Sequence, residues 1–310
     1  MFEAGLIIAL FVSAVRMAVP VIYGALGEVI AERTGVMNIG IEGQMLLGAF
    51  FSLVTVNHTG NLFLGVAAGA LIGGAGAMVI AYLGVSRKQD QAVAGIMFNI
   101  FSLGFTSYMY RIFYGVGTSP PLIGTMKPVE IPLLSQIPVM GDILFKQNPL
   151  TYLAFLLALA VWFVLYRTKL GYELRAVGEN PRAAQASGIN VVKYRYGALA
   201  FSGMTAGLGG AFLSLAVVGQ FMENISAGRG FIALSITILS RWNPAFALLG
   251  ALGFGFVDAL QLRLQAVGVN LPYQFMVMLP YVVTLLSIVF FGRNIHTPAA
   301  LGAAYEKEGR

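Results

Sequence analysis

The chain has 310 residues, of which 58% are hydrophobic and 10% are charged, and its mean hydropathy is +0.80. Soluble domains carry about a quarter of their residues as charged side chains. The composition therefore excludes a soluble enzyme, a nucleic-acid-binding protein and a disordered chain, and it indicates an integral membrane protein. The absence of cysteine excludes disulfides, thiolate chemistry and cysteine-based metal sites.

The first predicted membrane span covers residues 2–27 and is interrupted by Arg16 and Pro20. No small-residue cleavage site follows a short apolar core, so we predict no signal peptide. Residues 43–86 contain no charged side chain, and this stretch is long enough for two helices of about 20 residues each. The polar sequence from Asn57 to Asn61 predicts the turn between them.

Further charge-free stretches cover residues 91–110, 147–166, 196–222 and 264–292, with shorter ones at 230–240 and 242–257. A helix advances about 1.5 Å per residue, so residues 230–240 are too few to cross a hydrocarbon core of about 30 Å. We predict a half-helix or one part of a broken helix there. The chain is thus predicted to be an all-α, polytopic membrane protein with about eight or nine transmembrane helices in one domain, residues 1–310.

The positions of Lys and Arg predict the orientation, because short cytoplasmic loops are enriched in these residues. Eleven of them fall in segments predicted to be cytoplasmic: Arg87, Lys88, Arg167, Lys169, Arg175, Arg182, Lys193, Arg195, Arg293, Lys307 and Arg310. Three fall on the opposite side: Lys127, Lys146 and Arg229. This asymmetry places the N-terminus outside and the C-terminus in the cytoplasm, and we attribute the net charge of +6 to it.

Small residues recur at helical spacing in two predicted spans. They are Gly65, Gly69 and Gly73 in one span, and Gly203, Gly207 and Ala211 in the other. Such faces allow helix backbones to approach closely in lipid. We favour a helix contact within this subunit, with a contact to a second membrane subunit as the alternative.

Catalytic motifs are mostly absent from the sequence. His58 falls in an outer turn and His296 in the tail, so neither a histidine metal motif nor a Ser–His–Asp triad can form within the membrane. No G-x-x-x-x-G-K-[ST] phosphate loop occurs. We therefore expect no catalytic or metal-binding residues and no ATP hydrolysis by this chain alone.

Residues 27–44 carry three carboxylates, one arginine and four glycines within apolar sequence. Charged or non-helical backbone at membrane depth is tolerated only where it is buried in protein or lines a watery cavity. For Glu28, Glu32 and Arg33 we favour a cytoplasmic loop in which the charges are solvated.

A different interpretation applies to Asn38, Glu42 and Gln44 at the start of the next span. For these, lining a pathway and bracing a broken helix are equally good alternatives. Polar side chains in otherwise apolar spans give the candidate substrate-pathway residues: Asn38, Glu42, Asn99, Thr237 and Ser240. Asn99 has apolar neighbours that could stack on a base or a sugar, although packing against other helices is the favoured role.

The segment 169–193 contains local signals for a short helix. Asn180 as the N-cap and Pro181 in the first turn predict a helix that continues to Ser187, with Gly188 as its C-cap. A helix this short is unstable alone in water, so it needs a surface on which to dock. A soluble cytoplasmic partner and the lipid headgroups are the alternatives.

Three segments, residues 27–48, 175–189 and 228–244, together resemble the membrane subunit of bacterial ATP-binding-cassette (ABC) importers of the branched-chain amino acid and simple-sugar permease family. The sequence is most similar to the nucleoside-type branch, and the resemblance covers nearly the whole chain. The motif Gly-Glu-Asn-Pro-x-Ala-Ala-x-x-x-Gly-Ile, which begins at Gly178, is similar to the coupling segment that this family inserts into a cleft of the ATPase subunit.

The resemblance implies a permease subunit in the bacterial cytoplasmic membrane that forms the pathway for a nucleoside or a related small polar solute by alternating access. It also implies a cytoplasmic coupling loop at about 169–193 with these ATPase-coupling residues: Glu173, Arg175, Glu179, Asn180, Pro181, Arg182 and Gly188. An ion-coupled secondary transporter, which would use intramembrane carboxylates such as Glu42 or Asp258, is the main alternative. A purely structural membrane subunit is the other.

The resemblance also implies a set of partners. They are a cytoplasmic ATPase that holds ATP and Mg, a second and homologous permease subunit, an extracytoplasmic substrate-binding lipoprotein, and membrane lipid. No nucleic acid is expected, and this chain is expected to hold no cofactor itself.

Overall fold

The structure is a computed structural model that describes residues 2–115, 122–267, 272–291 and 296–306. Arg293, Lys307 and Arg310, which contribute to the predicted cytoplasmic charge, lie outside the described residues.

The described residues are mainly helical, as predicted. The helices are α1 (Phe2–Arg33), α2 (Ile41–Thr59), α3 (Leu62–Ala81), α4 (Gln91–Tyr114), α5 (Met140–Leu144), α6 (Pro149–Arg167), α7 (Lys169–Glu179), α8 (Pro181–Ala186), α9 (Val191–Phe212), α10 (Arg229–Leu239), α11 (Pro244–Ala266) and α12 (Tyr273–Phe291). Wider π-helical turns extend α3 over Tyr82–Ser86 and α9 over Leu213–Val218. The strands β1 (Val129–Glu130) and β2 (Lys146–Gln147) form one short antiparallel pair, in which Val129 faces Gln147.

Six helices of the described part are long and apolar enough to cross a membrane: α1, α3, α4, α6, α9 and α11. The chain is therefore a polytopic membrane protein. The predicted turn between the second and third helices is confirmed, because α2 ends at Thr59, Gly60 adopts a left-handed conformation, and Asn61 caps α3.

Helix α1 lies at the centre of the bundle. Every residue from Ala18 to Glu32 is buried, and a helix that is buried on all sides is surrounded by other elements. Its neighbours are α6, α9, α10 and α11. The helix continues through Pro20 to Arg33, so the predicted end of this span at residue 27 is too early.

The small-residue faces of α3 and α9 pack directly against each other. A Cβ on Gly73 would lie 2.3 Å from the carbonyl oxygen of Gly203, and one on Gly207 would lie 2.1 Å from the carbonyl oxygen of Gly69. Helix α2 joins this contact, since a Cβ on Gly48 would lie 2.5 Å from the carbonyl oxygen of Gly207. The predicted contact within the subunit is confirmed, and we call these five glycines the glycine seam.

The helices place the connecting segments at two opposite ends of the bundle. We call one the tail end, because the segment 296–306 lies there: the amide of Ala300 donates to the carbonyl of Gly178 at 2.9 Å, and that of Gly302 donates to Gly35 at 3.2 Å. The α3–α4 turn is at the same end, where Ser86 bonds to Tyr196. The segments 122–148 and 219–225 lie at the far end. This grouping is the one expected from the distribution of Lys and Arg.

Two non-helical segments enter the bundle from opposite ends. Residues 34–40 turn back from the tail end, so that Asn38 lies beside Glu28. Residues 219–228 return from the far end along α2: the rings of Phe221 and Phe50 are 5.4 Å apart, and Ser226 reaches Glu42. Helices α2 and α10 therefore both begin inside the bundle.

The predicted short helix at 230–240 is confirmed as α10, which has 11 residues. It covers only part of the distance between the two ends, and residues 219–228 cover the rest without forming a helix. The sequence predicts either a half-helix or one part of a broken helix here. In the structure, residues 219–239 run from the far end to the tail end, and the first half of this crossing is not helical.

The segment 169–193 differs from the expected loop with one short helix. It contains two helices, α7 and α8, and α9 already begins at Val191. Lys193 and Arg195, which the sequence places in this loop, lie in the first turns of α9, and Arg195 is buried.

Candidate functional site

The segment 34–40 satisfies its backbone through side chains of neighbouring helices. Non-helical backbone at membrane depth requires such partners, because no water is available there. The amide of Met37 donates to Oε1 of Gln91 at 2.8 Å, and the amide of Asn38 donates to Oε1 of Glu28 at 2.8 Å. Gly35 makes the initial turn with a φ of +81°, a conformation that favours glycine.

Asn38 connects four parts of the bundle. Its Nδ2 donates to Oε1 of Gln44 at 2.8 Å and to Oγ of Ser202 at 2.9 Å, and its Oδ1 accepts from Nε2 of Gln44 at 2.9 Å. Asn38, Gln44 and Ser202 are fully buried. Through these bonds the re-entrant segment is fixed to α1, α2 and α9 at once.

Asn99 of α4 holds the start of α2. Its Oδ1 accepts from the amide of Gly43 at 2.8 Å, and its Nδ2 donates to the carbonyl of Ile39 at 2.8 Å. An unpaired amide at a helix start is normally capped by a side chain of the same segment. Here a side chain from another helix does this, so α4 and α2 are linked by hydrogen bonds as well as by packing.

Glu42 caps the start of α10 from the first turn of α2. Its Oε1 accepts from Oγ of Ser226 at 2.5 Å and from the amide of Gly228 at 2.7 Å, and its Oε2 accepts from the amide of Gly230 at 2.7 Å. Helix N-termini carry partial positive charge that favours a carboxylate. The side chain is buried, and a Cβ on Gly230 would lie 2.6 Å from the amide nitrogen of Glu42, so the two helix starts are in direct contact.

Asp258 of α11 pairs with the first residue of α10. The guanidinium of Arg229 lies 3.1 Å from Oδ2 of Asp258, and the two side chains are 18% and 12% exposed. This ion pair joins α10 to α11 beside the Glu42 cap.

Thr237 and Ser240 lie in and after the last turns of α10. The hydroxyl of Thr237 donates to the carbonyl oxygen of Ala233 at 3.0 Å and lies 3.3 Å from the carbonyl oxygen of Ala25. The hydroxyl of Ser240 donates to the carbonyl oxygen of Thr237 at 2.8 Å. Both side chains are buried. All five candidate pathway residues thus bond to protein groups in this conformation.

Glu28 and Glu32 are not solvated, which corrects the interpretation from the sequence. They lie one turn apart in α1, 0% and 2% exposed. Ser202 donates to Oε2 of Glu28 at 3.2 Å, and Nε1 of Trp242 donates to Glu32. Arg33 follows them and donates to main-chain carbonyls of the α10–α11 turn. In the sequence, the signal for their shared environment was the spacing of four residues, which puts both carboxylates on one helix face.

At the tail end, local capping builds α7 and α8. Oγ1 of Thr168 accepts from the amide of Gly171 at 3.3 Å, and Oδ1 of Asn180 accepts from the amide of Ala183 at 3.0 Å. Pro181 occupies the first turn of α8, and Gly188 has a φ of +84° after its end. The predicted N-cap is confirmed, whereas the C-cap is Ser187, with Gly188 following it in the left-handed conformation.

The predicted coupling residues separate into two groups. Glu173 and Arg175 are anchors within the fold: Tyr194 donates its hydroxyl to Glu173, and the guanidinium of Arg175 lies 5.4 Å from the centre of the Tyr166 ring. Most of the others are exposed at the surface, with Pro181 half-buried: Glu179, Asn180, Pro181, Arg182 and Gly188.

The buried side of α8 packs against its neighbours in the fold. Ala184 is buried with Val177 of α7 and Val191 of α9. Helix α8 is therefore supported from one side and presents its small residues Ala183 and Ala186 outward.

Sequence reasoning missed several groups that organise these sites. Gln91, Ser202 and Trp242 act through contacts with residues distant in sequence, and the tail segment 296–306 carries no motif. Among the described residues, no group of three or more His, Asp or Glu side chains could hold a metal ion.

The comparisons with known proteins decide the family. Residues 10–289 match the family described as branched-chain amino acid transport system / permease component. The chain belongs to this family. The resemblance identified from the sequence is confirmed, and the chain is the permease component of an ABC transporter in the cell membrane.

Three relatives show the range of the family around this chain. The guanosine ABC transporter permease protein NupQ of Bacillus subtilis is 36% identical over 94% of this chain and 95% of its own length. The nucleoside ABC transporter permease protein NupC of Lactococcus lactis is 37% identical over 93% of each chain. A putative glucose ABC transporter permease protein of Haloferax volcanii is 38% identical over 87% of this chain and 80% of its own length. No solved structure matches the chain.

Proposed function

We propose that this permease forms the membrane pathway of an ABC importer for nucleosides. The observation that carries the proposal is its similarity to the guanosine and nucleoside permeases over more than nine-tenths of its length. The glucose permease relative makes sugars the competing substrate class. Every nucleoside contains a pentose, so a site for polar sugar hydroxyls would suit both classes.

The partners are an ATPase at the tail end, a second permease subunit and an extracytoplasmic substrate-binding lipoprotein. ATP and Mg bind to the ATPase, and this chain contributes no ATPase site. The outward face of α8 supports the first of these contacts, because it leaves the small residues Ala183 and Ala186 exposed on a short capped helix at the tail end. The tail end then faces the cytoplasm and the N-terminus lies outside. The proposed transmembrane segments are the six long apolar helices, α2, α12 and the broken crossing that includes α10, which together make nine.

Transport follows from a change in the re-entrant segments 34–40 and 219–228. ATP binding closes the ATPase and moves α8, and the ATPase supplies the drive by binding one state of the permease more tightly than the other. The segment 34–40 is held by side chains, so it can exchange hydrogen bonds without breaking a helix. Asn38, Glu42, Asn99, Thr237 and Ser240 are the groups that would turn toward a polar solute in the open state.

The substrate is tested with the complete transporter in proteoliposomes. We expect uptake of radiolabelled guanosine that needs ATP inside and the binding protein outside, and that excess unlabelled glucose does not inhibit. Uptake driven by a proton or sodium gradient without ATP would instead show a secondary transporter. Inhibition by glucose at concentrations comparable to guanosine would move the assignment to sugars.

The coupling surface is tested with the double variant Asn180→Ala and Gly188→Val. Loss of a helix N-cap costs about 0.5–2 kcal/mol, and Gly188 has the positive φ that a β-branched residue rarely adopts. We expect normal membrane abundance but weaker co-purification of the ATPase and loss of substrate-stimulated ATP hydrolysis. Arg182→Glu should act in the same way if the receiving cleft is acidic.

Asn61→Ala is the matched control for this experiment. Asn61 caps α3 with the same chemistry, since its Oδ1 accepts from the amide of Phe63 at 2.9 Å, but it lies at the far end. The control should retain ATPase binding. If the Asn180 and Gly188 double variant also binds the ATPase and transports normally, α8 is not the coupling element and rests on lipid headgroups instead.

A further inference from the structure

The tail segment 296–306 crosses the tail end of the bundle and contacts five of its elements. It bonds through its backbone to Gly178 of α7 and to Gly35 of the re-entrant segment, and through side chains to α8 and the α3–α4 turn. These contacts join the surface on which an ATPase would act to the segment that would open the pathway.

The side-chain contact with α8 is specific. The hydroxyl of Tyr305 donates to Oε1 of Gln185 at 2.8 Å, and the Tyr305 ring packs on the α7–α8–α9 cluster. Gln185 is half-buried in the last turn of α8. This bond therefore links the end of α8 directly to the tail.

A buried arginine of α9, Arg195, also binds the tail. Nη1 of Arg195 donates to the carbonyl of Ala303 at 2.8 Å, and its guanidinium lies 5.9 Å from the centre of the Tyr305 ring. The Arg195 side chain is 1% exposed, and its Nε and Nη2 have no hydrogen-bond partner among the described residues. Since a buried charge without a partner is strongly destabilising, the tail carbonyl and ring are important to keep Arg195 in place.

The other end of the tail reaches the turn of the re-entrant segment. The amide of Gly302 donates to the carbonyl of Gly35, and a Cβ on Gly35 would lie 3.1 Å from the carbonyl oxygen of Ala300 and 3.3 Å from Nη2 of Arg195. Three residues beyond Gly35 is Asn38, which connects α1, α2 and α9. The tail is thus in direct contact with the turn that precedes Asn38.

From these contacts, we infer that Tyr305 and Gln185 are positioning residues for coupling, and that the tail transmits the movement of α8 to the re-entrant segment 34–40. The inference rests on the proposed function, because it assumes that an ATPase acts on α8. It predicts that breaking the bond between Tyr305 and Gln185 leaves ATP hydrolysis but reduces the transport obtained from it.

The test uses the complete transporter in proteoliposomes and measures guanosine transported per ATP hydrolysed. Tyr305→Phe retains the ring over Arg195 and removes only the hydroxyl, and Gln185→Met removes the acceptor at similar volume. Each should lower the ratio about 2- to 10-fold, the range expected for one neutral hydrogen bond. The double variant should be no worse than either single variant, because both remove the same bond.

Tyr196→Phe is the matched control. It also removes a tyrosine hydroxyl bond at the tail end, but this bond joins α9 to Ser86 and involves neither α8 nor the tail. Its ratio should stay within about 2-fold of the parental value. A chain that ends at residue 296 should hydrolyse ATP with little transport.

Unchanged ratios in Tyr305→Phe and Gln185→Met would overturn the inference, and so would a truncated chain that transports normally. Loss of assembly on truncation together with normal ratios in the single variants would show that the tail is only structural, which also overturns it. If the parental complex itself does not transport guanosine, the proposed substrate fails; the ratio is then measured with the substrate that the complex does transport.

Discussion

The Glu42 cap of α10 gives a prediction whose size follows from its hydrogen bonds. Glu42 accepts from one hydroxyl and two main-chain amides at the point where two helices begin inside the bundle. In Glu42→Gln the side chain keeps its shape, but one of the two acceptor oxygens becomes an NH₂ donor. One oxygen can still accept from Ser226 and Gly228, whereas the amide of Gly230 then faces a donor.

The expected cost is the loss of one hydrogen bond to a charged group, about 1.5–3 kcal/mol. The loss of the carboxylate beside the N-terminus of α10 adds about 0.3–1 kcal/mol. We therefore expect Glu42→Gln to lower the free energy of unfolding by about 2–4 kcal/mol. Glu42→Ala should cost more, because it leaves both amides without an acceptor.

The measurement is unfolding of the purified permease in mixed micelles at increasing denaturing detergent. Glu223→Gln is the matched control: Glu223 pairs with Arg111 at 3.0 Å, but both side chains are about half exposed, and such pairs contribute about 1 kcal/mol or less. A cost for Glu42→Gln that equals the control, below about 1 kcal/mol, would refute the idea that Glu42 holds the two helix starts together.

Further predictions concern packing, orientation and the tail. Gly207→Val should lower stability by about 3 kcal/mol, the upper end of the usual cost of overpacking, because even its Cβ would meet the backbone of α3. Gly197→Ala on the same helix meets nothing within 4 Å and should be neutral; equal thermal stability of the two variants would contradict the glycine seam. In intact cells, a membrane-impermeant thiol reagent should label Gln136→Cys and not Ser187→Cys, and the reverse pattern would invert the predicted orientation. The hydrogen bond and charge of Lys88 lower the pKa of Glu306, so the stability that this pair contributes is present above the ordinary glutamate pKa and is lost only as the pH falls through the lowered value. Maleimide labelling of Ala304→Cys, normalised to the unfolded chain at each pH, should therefore stay constant from about pH 5.5 to 8, and a marked increase within that window would show that a group other than Glu306 controls the exposure of the tail.

Features that depend on local sequence could be predicted. Asn180, Pro181 and Gly188 define α8 because caps act through residues that are neighbours along the chain. The α2–α3 turn and the shortness of α10 follow in the same way from polar residues and from chain length. The sequence could also predict that these faces of α3 and α9 pack closely against another helix, since each carries three small residues at helical spacing.

Features that depend on distant partners could not be predicted. The sequence suggests that Glu28 and Glu32 are solvated charges, because their hydrogen-bond donors are distant along the chain. Trp242, for example, lies 210 residues after Glu32. Arg195 counts as a loop charge in the sequence, yet it is buried by a tail more than a hundred residues later. Glu42 was recognisable as an unusual carboxylate in a span, but the helix start that it caps was not.

The glycine seam also limits which parts of the molecule can move separately. At the five glycines of the seam, main chain of α2, α3 and α9 would meet any added Cβ, and the nearest side-chain atoms are alanine methyl groups, which have no rotamer to change. The three helices must therefore shift as one body. Since only four residues separate the end of α8 from the start of α9, a force applied to α8 at the tail end acts on about sixty helical residues together. The segments 34–40 and 219–228, which side chains hold in place, are then the parts of the bundle that change conformation.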